Sequence, residues 1–423
     1  MKKTPAALIV VIATIGLVSG AWAQPLPAAK AETVGMSSER LARLAPGLKG
    51  LIANERFPGA VVLVARKGKV VYFDAVGQRD PATGAPMTKD AIFRLYSMTK
   101  PFTSVAAMML AEEGKLLLND PISKYLPQLG DLRVAAMTQA PDGTKTYTLV
   151  PAERPITVQD LLRHTSGIAY ANRTVNEHVK KVYEANRIDW RDLSAADQID
   201  RLAKAPLAHQ PGTVWEYSLS TDVLGRVVEK VSGTTLSAFL NERLFTPLKM
   251  TDTSFLVPKD KVARIARPFL TDKETGKPIT LLDVTVPQMN DAGGAGSAGT
   301  TGDYARFAQM LANGGQLDGV RVLGRHMVNY MTSDHLGAIK PSIETLAVGY
   351  GFGLGFAVRK ETGIYSMPGS AGEFNWGGAA GTGFWVDPKE QLVVVIMTAT
   401  MPGTSQRYDR ALVRQLVYQA IVE

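Results

Sequence analysis

The 423-residue chain contains no cysteine. That absence excludes disulfides, a thiol nucleophile and any thiolate metal site. Histidine is scarce too. The five residues, His164, His178, His209, His326 and His335, form no HxxxH or HxH pair, so no metal site is expected. No motif asks for a cofactor. No GxSxG nucleophile elbow occurs, which argues against the ordinary α/β-hydrolase scheme. Blocks of like charge are missing as well. The 47 Lys and Arg exceed the 39 Asp and Glu by eight, but the excess is scattered and not interleaved with aromatics. Nucleic-acid binding is therefore not expected; a scattered positive excess of this size suits contact with anionic surfaces such as a cell envelope. Hydrophobic residues make up 45% of the chain, enough for a large core and two lobes.

Long apolar runs are absent except at the start. "MKKTPAALIVVIATIGLVSGAWAQ" is basic, then greasy, then small-x-small at Ala21-Trp22-Ala23. This is the layout of a secretory signal, with the cut expected after Ala23 and the protein periplasmic or secreted. The run is too short for a comfortable membrane span, and no cysteine follows to carry a lipid.

Residues 37–53 have helical spacing, with Leu41, Leu44, Leu48, Leu51 and Ile52 on one face and Ser37/Ser38 as caps. Segment 59–77 reads as a β-hairpin about Arg66–Lys69. Segment 101–113 is helical. Three further helices are expected after Thr157, over 220–233 and over 302–315; the first opens on a capping box, Thr157 to Asp160, and ends at Gly167. Strand candidates return at 351–359, 364–370, 377–388 and 391–400, and a helix closes the chain at 404–422. The economical solution is an α/β (α+β) fold. Both chain ends join one antiparallel sheet flanked by the N- and C-terminal helices. The mature domain, 24–423, then divides into an α/β lobe (about 34–114 plus 346–423) and an inserted, mostly helical lobe (about 115–345), with a cleft between them.

Within this frame "SMTK" is the only SxxK in the chain. A lysine three residues on shares a helix face with the serine. A serine at a helix start has an outward N–H and favourable dipole potential, so Ser97 has the makings of an activated nucleophile and Lys100 of its helper. The plain alternative is a capping serine and a surface lysine. Tyr217, on the loop opened by Pro211-Gly212, is a candidate proton acceptor, because a nearby cation favours a phenolate; packing between lobes would also explain it. Trp376-Gly377-Gly378 begins a strand with little bulk. Glycine there marks close approach by another group, and the Ala379 N–H is placed to be an oxyanion donor; a sheet bend is the other reading. "DAGGAGSAGTTG" (291–302) reads as a tight loop beside something. His164 reads as structural.

Taken together, "SMTKPFTS", "LLRHTSG", "PGTVWEYS", "GGAGSAGTTGDYARFAQML" and "WGGAAGTGFWVDP" resemble the serine β-lactamase-like superfamily. The closest likeness is to family VIII carboxylesterases, relatives of class C β-lactamases and DD-peptidases, over about residues 34–420. The resemblance implies an acylated Ser97, a base role shared by Lys100 and Tyr217, and an oxyanion hole of the Ser97 and Ala379 N–H groups. Trp376, Gly377, Gly378, Tyr170 and Ser218 are the expected substrate contacts. Two departures stand out. Leu219 occupies the place where the tyrosine motif usually carries a polar residue, leaving Ser218 as the nearest substitute. Trp376 stands where the lactamases carry a lysine, which favours neutral acyl esters over anionic lactams. A small-molecule ester or amide is the expected substrate, with hydrolysis of lactams or D-peptides, or acyl transfer, as alternatives on the same site.

Overall fold

The computed structural model describes residues 25–189, 192–342, 346–401 and 404–423, the side chains of 404–408 excepted. The signal expected at 1–23 lies outside them. Eight strands form the main sheet: β1 (Gly59–Arg66), β2 (Lys69–Asp80), β3 (Ala85–Pro86), β4 (Tyr350–Phe352), β5 (Ala357–Arg359), β6 (Phe374–Gly377), β7 (Gly383–Asp387) and β8 (Leu392–Thr398). Their order is β4-β5-β6-β7-β8-β1-β2-β3, antiparallel throughout, so the two chain ends do share one sheet. Strand β1 sits at the join. Its alternate residues serve two cores: Val61, Leu63 and Ala65 face one, Ala60, Val62 and Val64 the other. The β1–β2 turn places Lys67 (φ 50°) and Gly68 (φ 73°) in left-handed backbone, the two-residue turn whose twist matches the strands.

Helices α1 (Leu44–Ala53) and α5 (Thr404–Tyr418) cover the outer face. The expected helix over 37–53 is two pieces, Ser38–Leu41 and α1, because Pro46 has no N–H to continue the ladder back to Ala42. The inner face carries the larger core, which also contains α2 (Thr99–Glu112) and α3 (Ser220–Ser232). Helix α4 (Thr301–Ala312) packs directly on β1, β7 and β8. It therefore belongs with the sheet although it falls inside the span 115–345, and Ala298–Thr300 pairs with Ile92–Arg94 on the same side. The inserted span is also less helical than expected, since Arg133–Gln139 and Lys145–Pro151 form a hairpin.

Three strand expectations differ from the structure. Trp376-Gly377 ends β6 instead of beginning a strand, and segment 377–388 turns at Gly378–Thr382 before β7. Segment 351–359 folds back as the β4–β5 hairpin. A Cβ on Gly355 would lie 2.3 Å from Ser104 Oγ, so the chain must turn where it meets α2. Segment 364–370 forms no strand. Two of its carbonyls are taken by guanidinium groups: Arg359 donates to Met367 O (2.7 Å) and Arg414 to Pro368 O (3.2 Å).

Candidate active site

Ser97 lies in a short 3-10 turn, Tyr96–Met98, that runs straight into α2. Tyr96 has φ 45°, a left-handed backbone costing about 1–3 kcal/mol that persists only when its surroundings impose it. Here they do. The Tyr96 hydroxyl accepts from Leu282 N–H (2.7 Å), Leu95 N–H donates to Ser297 O (2.9 Å), and the Tyr304 hydroxyl donates to Met98 O (3.0 Å). The first hydrogen bond of the turn is Met98 N–H to Leu95 O (3.0 Å), so the Ser97 N–H lies ahead of the ladder. Ser97 is partly exposed while Met98, Thr99 and Lys100 are buried.

Lys100 is 1% exposed. A buried amine needs partners, and among the described residues it donates to Gly294 O (2.8 Å) and to Tyr170 Oη (3.2 Å). The loop of small residues at 291–302 is thus explained. Gly294 offers its carbonyl to Lys100 and its N–H to Asp222 Oδ1 (3.1 Å), and Gly293 O accepts from Thr103 Oγ1 (2.8 Å). Asp222, in the first turn of α3, also accepts from the Tyr170 hydroxyl (3.5 Å).

Tyr217 arrives from the loop that begins at Gly212 (φ 84°), where a Cβ would strike Arg154. Its ring centre lies 4.7 Å from Lys100 Nζ and 5.3 Å from the Arg173 guanidinium. The rings of Tyr170 (5.7 Å), Trp376 (5.2 Å) and His164 (4.9 Å) surround it. Tyr217 is 8% exposed, and its buried hydroxyl has no hydrogen-bond partner among the described residues. His164 holds the tyrosine loop. It accepts Glu216 N–H at its carbonyl (2.9 Å) and Ser218 N–H at Nδ1 (3.3 Å). Burial, then the charge of Lys100, push its pKa well below the ordinary value, so it is a neutral support.

The strand motif comes to the same place. The turn carrying Ser97 packs on β6, and a Cβ on Gly378 would lie 2.2 Å from Leu95 O, which explains that glycine. Gly378 N–H bonds Thr382 O (2.8 Å), closing a turn that contains Ala379. Trp376 stands on β6 between the rings of Tyr217 (5.2 Å) and Phe352 (5.3 Å).

The structure therefore brings Lys100, Tyr217 and Trp376 together, and seats the Gly378–Thr382 turn against Leu95, two residues before Ser97. The Tyr170 ring lies beside Tyr217 (5.7 Å), and its hydroxyl meets Lys100 and Asp222. Ser218 is a correction. It is 0% exposed, and its Oγ pairs with Ser220 Oγ (2.7 Å), so it braces the loop and does not reach a substrate. Asp222 and Arg173 were not singled out from sequence. An acid in a first helical turn reads simply as a dipole partner, and a loop arginine as solvated charge.

The beta-lactamase family model matches residues 42–418. An uncharacterised protein of Mycobacterium tuberculosis is 36% identical over 359 residues, covering 82% of this chain and 87% of that one. The esterase EstB of Burkholderia gladioli is 32% identical over 384 residues, covering 85% and 90%. Among solved structures, EstCE1, described as a hydrolase with promiscuous acyltransferase activity, superposes with a TM-score of 0.72 at 28% identity, covering 90% of this chain and 99% of its own. The chain belongs to the beta-lactamase family and is a serine hydrolase of its esterase-related branch.

Proposed function

We propose that the protein is an exported carboxylesterase that works through an acyl-Ser97 intermediate. The observation that carries this reading is the contrast between two tyrosines. The Tyr170 hydroxyl accepts from Lys100 (3.2 Å) and has Asp222 Oδ2 at 3.5 Å to take its proton. The Tyr217 hydroxyl is buried and unpartnered among the described residues, and two cationic side chains lie against its ring, Lys100 Nζ 4.7 Å and the Arg173 guanidinium 5.3 Å from the ring centre. Tyr217 is thus the residue free to move a proton; it enters the step as a phenolate, whose charge Lys100 and Arg173 stabilise.

In the first step Ser97 Oγ bonds to the ester carbonyl carbon while its proton passes to the Tyr217 phenolate oxygen, which becomes a neutral phenol. The carbonyl electron pair moves onto oxygen, which the Ser97 and Ala379 N–H groups stabilise. Collapse breaks the carbon–alkoxy bond, and the leaving oxygen takes the proton from Tyr217. Water then adds to the acyl-serine by the same route, releasing the acid and restoring Ser97. Trp376 supplies an apolar wall for an uncharged acyl or aryl group. The Ala21-Trp22-Ala23 leader supports export to the periplasm or beyond, where a positive chain suits envelope contact.

The wall of Trp376, Tyr170 and Tyr217, with the acyltransferase description of EstCE1, favours one second reading: transfer of the acyl group to an alcohol in place of water. Retained activity in Ser97→Ala would refute the nucleophile. A higher kcat/KM for a cephalosporin than for a neutral aryl ester of similar size would refute the substrate class. A product ratio that tracks added alcohol would favour transfer.

A further inference from the structure

The glycines of β6 and β7 make room for a residue far away in sequence. Gly377 and Gly383 pair across the two strands. A Cβ on Gly377 would lie 2.2 Å from Arg410 Nη1, and one on Gly383 would lie 3.0 Å from Arg410 Nε. The paired glycines thus form a slot in the outer face of the sheet, and the guanidinium of Arg410, from α5, lies in it. Arg410 Nη2 donates to Gly378 O (2.8 Å) and to Thr382 O (2.5 Å). These residues are the two ends of the turn that contains Ala379.

The Gly378 carbonyl and the Ala379 N–H belong to one planar peptide, pointing in opposite directions. A group that fixes the carbonyl also fixes the aim of the N–H. A cation on the carbonyl oxygen further polarises the peptide and increases the positive charge on the N–H. We propose that Arg410 is a positioning residue for the oxyanion hole, orienting and polarising the Gly378–Ala379 peptide from the opposite face of the sheet. This rests on the reading of Ala379 as the second oxyanion donor. Arg410 itself touches no reacting atom.

The test uses the full chain, with active sites counted by end-point labelling with a fluorophosphonate. Two readouts are taken: kcat and KM for 4-nitrophenyl butyrate, and the affinity of an aryl boronic acid, whose serine adduct places an oxygen in the oxyanion hole. Arg410→Ala is expected to lower kcat per site by ten- to a hundredfold, with KM within threefold. Boronate affinity should fall by a similar factor, because the contribution appears only with the oxyanion. Guanidinium chloride at millimolar concentration should restore part of kcat. Gly377→Ala, which pushes the guanidinium out of its slot, should reproduce the loss. In the Arg410→Ala background the same change should cost less than threefold.

A merely structural arginine would lower the number of labelled sites and leave kcat per site and boronate affinity unchanged; that result would overturn the proposal. So would a change in KM alone, or full additivity of the two substitutions. Ser97→Ala separates the two levels. If it keeps boronate affinity, the nucleophile assignment fails and this proposal with it. If it loses affinity while the Arg410 variants keep theirs, this proposal alone fails.

Discussion

Gly294→Ala tests the arrangement around Lys100 without removing any functional group. The position does not take a positive φ, so backbone preference plays little part. A methyl there would lie 2.3 Å from Asp222 Oδ2 and 3.0 Å from Lys100 Nζ. Ordinary contact is about 3.5 Å, so either the carboxylate or the loop must move by about an ångström. Two charge-assisted hydrogen bonds depend on that loop, Lys100 to Gly294 O (2.8 Å) and Gly294 N–H to Asp222 (3.1 Å). Each contributes about 1.5–3 kcal/mol. Loss of one, at about 2 kcal/mol, is about thirty-fold in rate, and loss of both is about a thousand-fold. The assay is kcat/KM for 4-nitrophenyl butyrate. Gly302→Ala is the control, because its methyl would find only Thr300 Oγ1 at 4.0 Å, and its activity should stay within twofold. Activity of Gly294→Ala within threefold of the parent would refute the claim that this loop seats Lys100.

Three further outcomes follow from the same contacts. Tyr170→Phe removes one acceptor of Lys100 and a donor to Asp222, and should lower kcat about tenfold in the same assay, well short of Tyr217→Phe, where loss of the general base costs about 10²–10⁴-fold. Asp303, pushed up to about 7 by burial, has one oxygen without a partner among the described residues. Its folded pKa lies above the unfolded value, so the folded state binds the extra proton between about pH 4 and 7. Stability then falls with rising pH across that window, by up to about 1.4 kcal/mol per pH unit. Asp303→Asn should flatten the decline in Tm. Part should remain, because burial also pushes Asp409 up to about 7. Glu373 is fully buried; it accepts two hydrogen bonds from Arg414 and also pairs with the buried Arg359 (3.7 Å). Glu373→Ala leaves these guanidinium groups without their carboxylate and should cost about 3–5 kcal/mol, read from chemical unfolding.

Local signals explain what the sequence made legible. The β1–β2 hairpin, the Thr157–Asp160 capping box and helix α3 are encoded within a few residues and appear as expected. The joining of both chain ends in one sheet followed from the distribution of strand-like segments. Segment 364–370 forms no strand because side chains of Arg359 and Arg414 take two of its carbonyls; Pro368-Gly369 is the local sign of the break, and the contact with Arg414 leaves none. The site divides in the same way. Ser97 and Lys100 are neighbours on one turn, so spacing pointed to them. Asp222, Gly294 and Tyr170 meet Lys100 only in the folded chain. The small residues at 291–302 and the pair Gly377-Gly378 did carry a signal, close approach, but not the identity of what approaches: Lys100 and Asp222 in one case, Arg410 and the Leu95 carbonyl in the other.

The most direct measurement is the rate of Ser97 acylation, followed by rapid quench and intact mass after mixing with an aryl ester. The account predicts one acyl adduct on the peptide containing Ser97, formed at least a hundredfold more slowly in Tyr217→Phe and only about tenfold more slowly in Tyr170→Phe. Acylation of Tyr217→Phe at the parent rate, or an adduct on another residue, would contradict it.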